Sequence, residues 1–244
     1  STETALGKVG LDYELLSAKD AKKFRKPKGK ISNKLKDPPP DVVEALVRLF
    51  EQGNHTAVVE ATSGTIRKFK RSPTLLNILA SSMHAQGDDL SAIQTIKSAL
   101  KLKPDFVNGL ITLGNALRGA NRSKEAIKEY EFALGVAPTN LIARLNRGSA
   151  FKDLGQLDEA MLSYMSVIET NPDYAPAHLN LGITLSGKNN HLGALRSFEE
   201  AIELNPKLIA ARLGRAKALS NLNRTDFAIT ELEQILTLNP NHLE

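Results

Sequence analysis

An all-α fold, a right-handed solenoid of stacked helix-turn-helix units, is what this sequence predicts, and three observations carry the prediction. Prolines stand at 104, 138, 172, 206 and 240, each 34 residues from the last. Alanines recur in register at 92, 126, 160, 194 and 228, and four residues after each comes a large side chain: Ile96, Tyr130, Tyr164, Phe198 and Leu232. A third mark is the small residue of the preceding helix, at Ala80, Gly114, Gly148, Gly182 and Ala216. Self-similarity at a fixed period of this size signals helix pairs that can bury their apolar faces only by stacking.

Residues 1–38 lie outside the repeat. Leu11, Leu15 and Ala18 are spaced for a short amphipathic helix over 11–24, and Pro27, Gly29 and prolines 38–40 oppose helix after it. Between Lys19 and Lys36 nine basic residues face the single acid Asp20, a net of +8 within a chain whose total is +5, so the remainder carries −3. Such a run reads as a solvated leader, largely disordered. An anion-binding arm is the alternative, but only Phe24 could stack on a base, which argues against nucleic acid.

The helix pairs follow. The first, 39–72, is degenerate: it keeps Gly53 at its turn but has Val58 at the alanine register and Lys70 at the proline register. Its apolar pattern (Val42, Leu46, Leu49, Val58) supports its inclusion. Regular pairs occupy 73–106, 107–140, 141–174, 175–208 and 209–242. First helices are expected near 41–52, 73–86, 107–119, 141–153, 175–187 and 209–221. Second helices are expected near 55–70, 89–102, 123–136, 157–170, 191–204 and 225–238. In the clearest copy Leu110, Leu113, Gly114 and Leu117 share one helical face, as do Ala126, Tyr130 and Ala133 in its partner. Ser123 is expected to cap that second helix with Glu125 in its first turn, and Pro138 stops it. Turns within pairs read Gly53-Asn54, Gly87-Asp88, Gly155-Gln156, Asn189-Asn190 and Asn223-Arg224, residues that tolerate the left-handed backbone closing a helix. The N-x-S/T triplets at Asn54, Asn121 and Asn223 belong to this turn chemistry rather than to glycosylation.

Composition narrows the chemistry. With no cysteine there are neither disulfides nor thiolate metal sites, which fits a reducing compartment. No apolar run approaches 18 residues and no secretory layout opens the chain, so a cytoplasmic protein without a transmembrane segment is expected. Phosphate-cradling GxxxxGK[ST], GxSxG and HExxH patterns do not occur. His55, His84, His178, His191 and His242 are scattered, none spaced with a second ligand for zinc, and Glu199-Glu200 reads as solvated charge. Neither catalysis nor a cofactor is expected in this region.

These marks resemble the tetratricopeptide repeat (TPR), whose pattern sets small residues at positions 8, 20 and 27 and proline at 32 of each 34-residue copy. The resemblance implies that positions 4, 7, 8 and 11 of each first helix pack inward. It leaves a stripe at 2, 5, 9 and 12 facing a concave groove. Position 5 reads Val43, Asn77, Ile111, Leu145, Leu179 and Leu213, an almost continuous apolar row. Hydrogen-bonding side chains lie between: Asn108, Thr112, Asn115 and Arg118; then Asn146, Ser149 and Lys152; then Asn180, Ser186 and Lys217. Asparagine amides donate and accept together, which suits the backbone of an extended ligand. The alternative is a position 5 half buried against the neighbouring first helix.

The family's carboxylate clamp needs Lys and Asn at positions 5 and 9. Here Asn115 is paired with Ile111, and Asn77 is followed by Ser81, which argues against chaperone tails. Asn146 and Asn180 are similar to the asparagine ladder of glycosyltransferase-type superhelices. Arg147 and Arg215 are expected to snorkel or pair, and His178 to pack. The function implied is a non-enzymatic interaction module holding an extended segment of another protein, with Arg118, Lys152 and Lys217 favouring acidic ligands. The alternative is the recruiting arm of a longer enzyme, a transferase or oxygenase, of which this chain is the front portion. No helix follows the last pair, so Leu232 and Ile235 are expected to lack cover, which a homodimer through that end would supply.

Overall fold

The computed structural model describes residues 37–238, so the basic run, its short helix and Pro240 lie outside the described residues. Among the described residues there are twelve helices and no strand. First helices of the pairs are α1 (Pro40–Glu51), α3 (Pro73–Ala85), α5 (Val107–Gly119), α7 (Leu141–Asp153), α9 (Ala175–Gly187) and α11 (Ile209–Asn221). Second helices are α2 (His55–Ile66), α4 (Asp89–Leu102), α6 (Ser123–Val136), α8 (Leu157–Thr170), α10 (His191–Leu204) and α12 (Thr225–Leu238). One range departs by more than a residue from expectation: α2 stops at Ile66 rather than 70. That is the pair whose proline is replaced by Lys70.

Each turn within a pair is made by one residue of positive φ, between 58° and 83°: Gly53, Gly87, Asn121, Gly155, Asn189 and Asn223. Glycine enters this region freely and asparagine at little cost. Asn54, Asp88 and Asn190 then cap α2, α4 and α10 by accepting the backbone N–H three residues on, and Ser72 and Asn140 do the same for α3 and α7. Ser123 is not a cap. The cap position of α6 is Arg122, and Ser123, one residue further in, is buried. Arg122 instead grips Glu125 at 2.7 and 2.8 Å, holding that carboxyl below its usual range.

Packing follows the small residues. A Cβ on Gly114 would run into the Tyr130 ring, one on Gly148 would lie 2.7 Å from Tyr164, and one on Gly182 2.7 Å from Phe198. All three rings are almost wholly buried, each laid over bare backbone of its partner helix. The outward side chains of α12 are more exposed than their equivalents in earlier pairs. Ile93, Ile127 and Leu195 are at most 9% exposed, whereas the equivalent Ile229 of α12 is 50% exposed. Leu232 and Leu236 are likewise 44% and 38% exposed, where Tyr130 and Leu134 are buried. Ile235 corrects the expectation: it is 2% exposed.

Candidate functional site

First helices of successive pairs touch one another, α1 to α3 through α9 to α11, while among the described residues second helices touch only first helices. The stack is therefore tighter along the first helices, which bends it and makes them the inner wall. Side chains bond across that wall between neighbouring helices. Ser81 of α3 meets Thr112 of α5 at 3.3 Å. Asn146 Nδ2 of α7 donates to Asn115 Oδ1 of α5 at 2.9 Å, and Arg118 Nε donates to Asp153 at 2.8 Å.

Second helices supply part of the floor. The Tyr130 ring crosses Gly114, and its hydroxyl donates to Asn115 Oδ1 at 2.7 Å; Tyr164 crosses Gly148 and donates to Ser149 Oγ at 3.2 Å. Burial pushes both phenols up, so they remain proton donors, Arg118 opposing the shift in each. At the corresponding places of the next pair the hydroxyl disappears: the ring is Phe198 and the residue after Gly182 is Ile183. The floor thus changes from hydrogen-bonded to apolar at α9. Three large aliphatics emerge on successive inner helices there, Ile142 (44%), Ile183 (39%) and Leu213 (39%), with Leu145 and Leu179 half buried between.

Several sequence-predicted residues sit elsewhere than expected. The position-5 row is not continuous: Ile111 is 8% exposed within the core and Asn77 is half buried, its Oδ1 without a hydrogen-bond partner among the described residues. Thr112 is buried, and Asn115 Oδ1 is taken by the Asn146 Nδ2 and Tyr130 hydroxyl donors. Arg118 is not a free cation. Burial works against its charge, but the bond to Asp153 and the nearby Tyr130 raise its pKa overall. Lys152, next to that pair, is lowered by burial and by Arg118. Asn108 and Lys217 are exposed, and Ser186 is half buried. The Asn180 amide makes no side-chain hydrogen bond among the described residues, its backbone oxygen taking Thr184. Ile142 and Ile183 also lie on stripe positions, at 2 and 9 of their repeats, but as single aliphatics outside the position-5 row they carry no sequence pattern that marks them.

The inward-facing polar residues are structural. Arg144 donates to Pro138 O at 3.1 and 2.7 Å, to Ser166 O and to Thr170. His178 meets Pro172 O at 2.7 Å and Arg212 donates to Pro206 O at 3.0 Å, so all three tie their helix to the turn before it. Arg215 and Arg212 both engage Glu231, whose side chain is 4% exposed, and Arg147 donates to Ser163. Among the described residues no group of three His, Asp or Glu could hold a metal, and no helix is long and apolar enough to cross a membrane.

Sequence profiles of a family of repeats match this region: TPR repeat over residues 148–189 and tetratricopeptide repeat over 175–208. No curated protein matches the chain. Among solved structures it is similar to PilW, a type IV pilus biogenesis factor (19% identity over 82% of this chain and 93% of that one, TM-score 0.75). TTC0263, a thermophilic TPR protein of Thermus thermophilus, is similar at 22% identity over 73% and 97%, TM-score 0.66. YrrB, a TPR protein with an unusual peptide-binding site, is similar at 20% identity over 76% and 95%, TM-score 0.55. Identities this low speak to the fold alone.

Proposed function

The chain is a tetratricopeptide-repeat protein, and from that premise we propose that it is a non-catalytic interaction scaffold holding an extended segment of another protein along its inner wall. Six repeats over 39–242, the first degenerate, form the scaffold in this reading. One observation supports it most: Ile142, Ile183 and Leu213 stand between 39% and 44% exposed on three adjacent inner helices. Apolar side chains grouped on one wall are a surface that association would cover. Asn180 beside them has an amide free to pair with a ligand backbone.

Affinity purification of binding partners with quantitative mass spectrometry tests the reading. A Leu179→Ser, Asn180→Ala, Ile183→Ser variant is expected to lose partners that wild type and an outer-face variant, Leu162→Ser, both retain. Equal recovery by all three would overturn it.

A second reading rests on a different surface. The α12 face bearing Ile229, Leu232 and Leu236 is open where the equivalent face of inner pairs is covered, and a second copy packing the same face would close it symmetrically. Sedimentation equilibrium should then show a dimer that Leu232→Lys with Leu236→Lys converts to monomer. A wild type that stays monomeric at high micromolar concentration ends this reading.

A further inference from the structure

We infer that the segment seated on α7, α9 and α11 is acidic and apolar together, with large apolar side chains at every third residue and Asp or Glu between them. This rests on the groove reading above and adds what the occupant must carry. The apolar part follows from Ile142, Leu145, Leu179, Ile183 and Leu213, of which Leu179 and Ile183 are neighbours one turn apart on α9.

The acidic part follows from charge. At stripe positions of these three helices the ionisable side chains are Lys152 and Lys217. Neither forms a salt bridge among the described residues, and the adjacent carboxylate, Asp153, is taken by Arg118 at 2.8 Å. Lys152 is half buried and its nearest carboxylate, Asp153, is already bonded to Arg118, so a ligand that covers the ammonium without an anion adds to the cost of burying its charge. A basic segment would add repulsion to that cost.

The spacing follows from the stack. Packed helices lie about 8–10 Å apart, which sets the distance between equivalent leucines of successive inner helices. An extended polyproline II chain has three residues per turn and rises about 3.1 Å each, so every third side chain returns to one side after about 9 Å. A flat β-strand returns every second residue, about 7 Å, and falls out of step.

Selection from a phage-displayed library of random 12-residue peptides on the full chain, followed by fluorescence anisotropy with the synthetic peptides, tests this. Recovered peptides should combine Asp or Glu with Leu, Ile, Val or Phe at a spacing of three. Lys152→Gln with Lys217→Gln should weaken them about tenfold, the size of two screened charge contacts, and salt should erase the difference. Ile183→Ser, an exposed site whose change spares the core, should weaken them as well, with circular dichroism confirming that each variant is folded. Peptides that depend on Ile183 but are neutral or basic, or ignore both lysines, overturn the inference and leave the groove reading standing. Apolar residues at i, i+3, i+4 and i+7, rather than at i, i+3 and i+6, would mean a helical occupant and also overturn it. Peptides indifferent to Ile183, or none recovered, overturn both.

Discussion

At the scale of single residues, the floor of the inner wall depends on tyrosines from the outer helices. Tyr130→Phe removes one of the two donors to Asn115 and is expected to cost about 1 kcal/mol in urea unfolding near neutral pH. Its alkaline behaviour is a sharper test. The folded phenol's pKa is raised above the ordinary 10.0, chiefly by burial. The stability this contributes is complete below the unfolded value and is lost as pH rises from there towards the folded one, because the unfolded chain gives up its proton first. Stability measured from pH 9 to 11 should therefore fall less steeply in Tyr130→Phe than in wild type. The tyrosines were legible as core residues. What was hidden is that their hydroxyls reach the other side of the glycines. The cross-wall bonds could have been found by offset: Ser81 to Thr112 and Asn115 to Asn146 are 31 apart, and Arg118 to Asp153 is 35 apart. Those separations are one period less three and plus one, the places where neighbouring inner helices meet.

At the scale of elements, the turns were readable because few residues accept positive φ, and the six that do among the described residues are glycines and asparagines. Ser123 misled because Arg122 and Ser123 both follow the left-handed Asn121, and it is the Arg122 carbonyl, accepting from Ala126 N–H, that opens the helix. The Arg144, His178 and Arg212 ties could not be read at all, since their acceptors are backbone oxygens placed by the fold. Leu76 and Leu110 occupy the same position in earlier pairs and are buried there. Arg144→Ala should accordingly lower stability by about 1–2 kcal/mol, having lost the hydrogen bonds without replacement. Arg144→Leu, which borrows the solution of the earlier pairs, should lose less. Chemical denaturation of both variants measures the difference.

At the scale of the whole molecule, the buried apolar side chains gather into separate groups along a stack whose successive helices all touch. One cluster runs from Leu76 to Ala150 and another from Leu185 to Ala228, with a smaller one around Leu46 and Val58. Tyr164 and Val167 of α8 are buried yet belong to none of them. Stability in a stack is a sum over neighbours, so a weak junction divides its cooperativity. Amide hydrogen exchange in low urea should resolve two protected blocks that open at different denaturant concentrations and meet at α8. A single coincident opening would contradict this.

That junction falls where the wall turns from hydrogen-bonded to greasy. The apolar stretch proposed above as a binding surface crosses that junction, with Ile142 and Leu145 on the first block and Leu179, Ile183 and Leu213 on the second. If the proposed groove reading holds, a change in how the two blocks sit against each other would reshape the surface offered to a ligand while leaving the buried contacts inside each block intact.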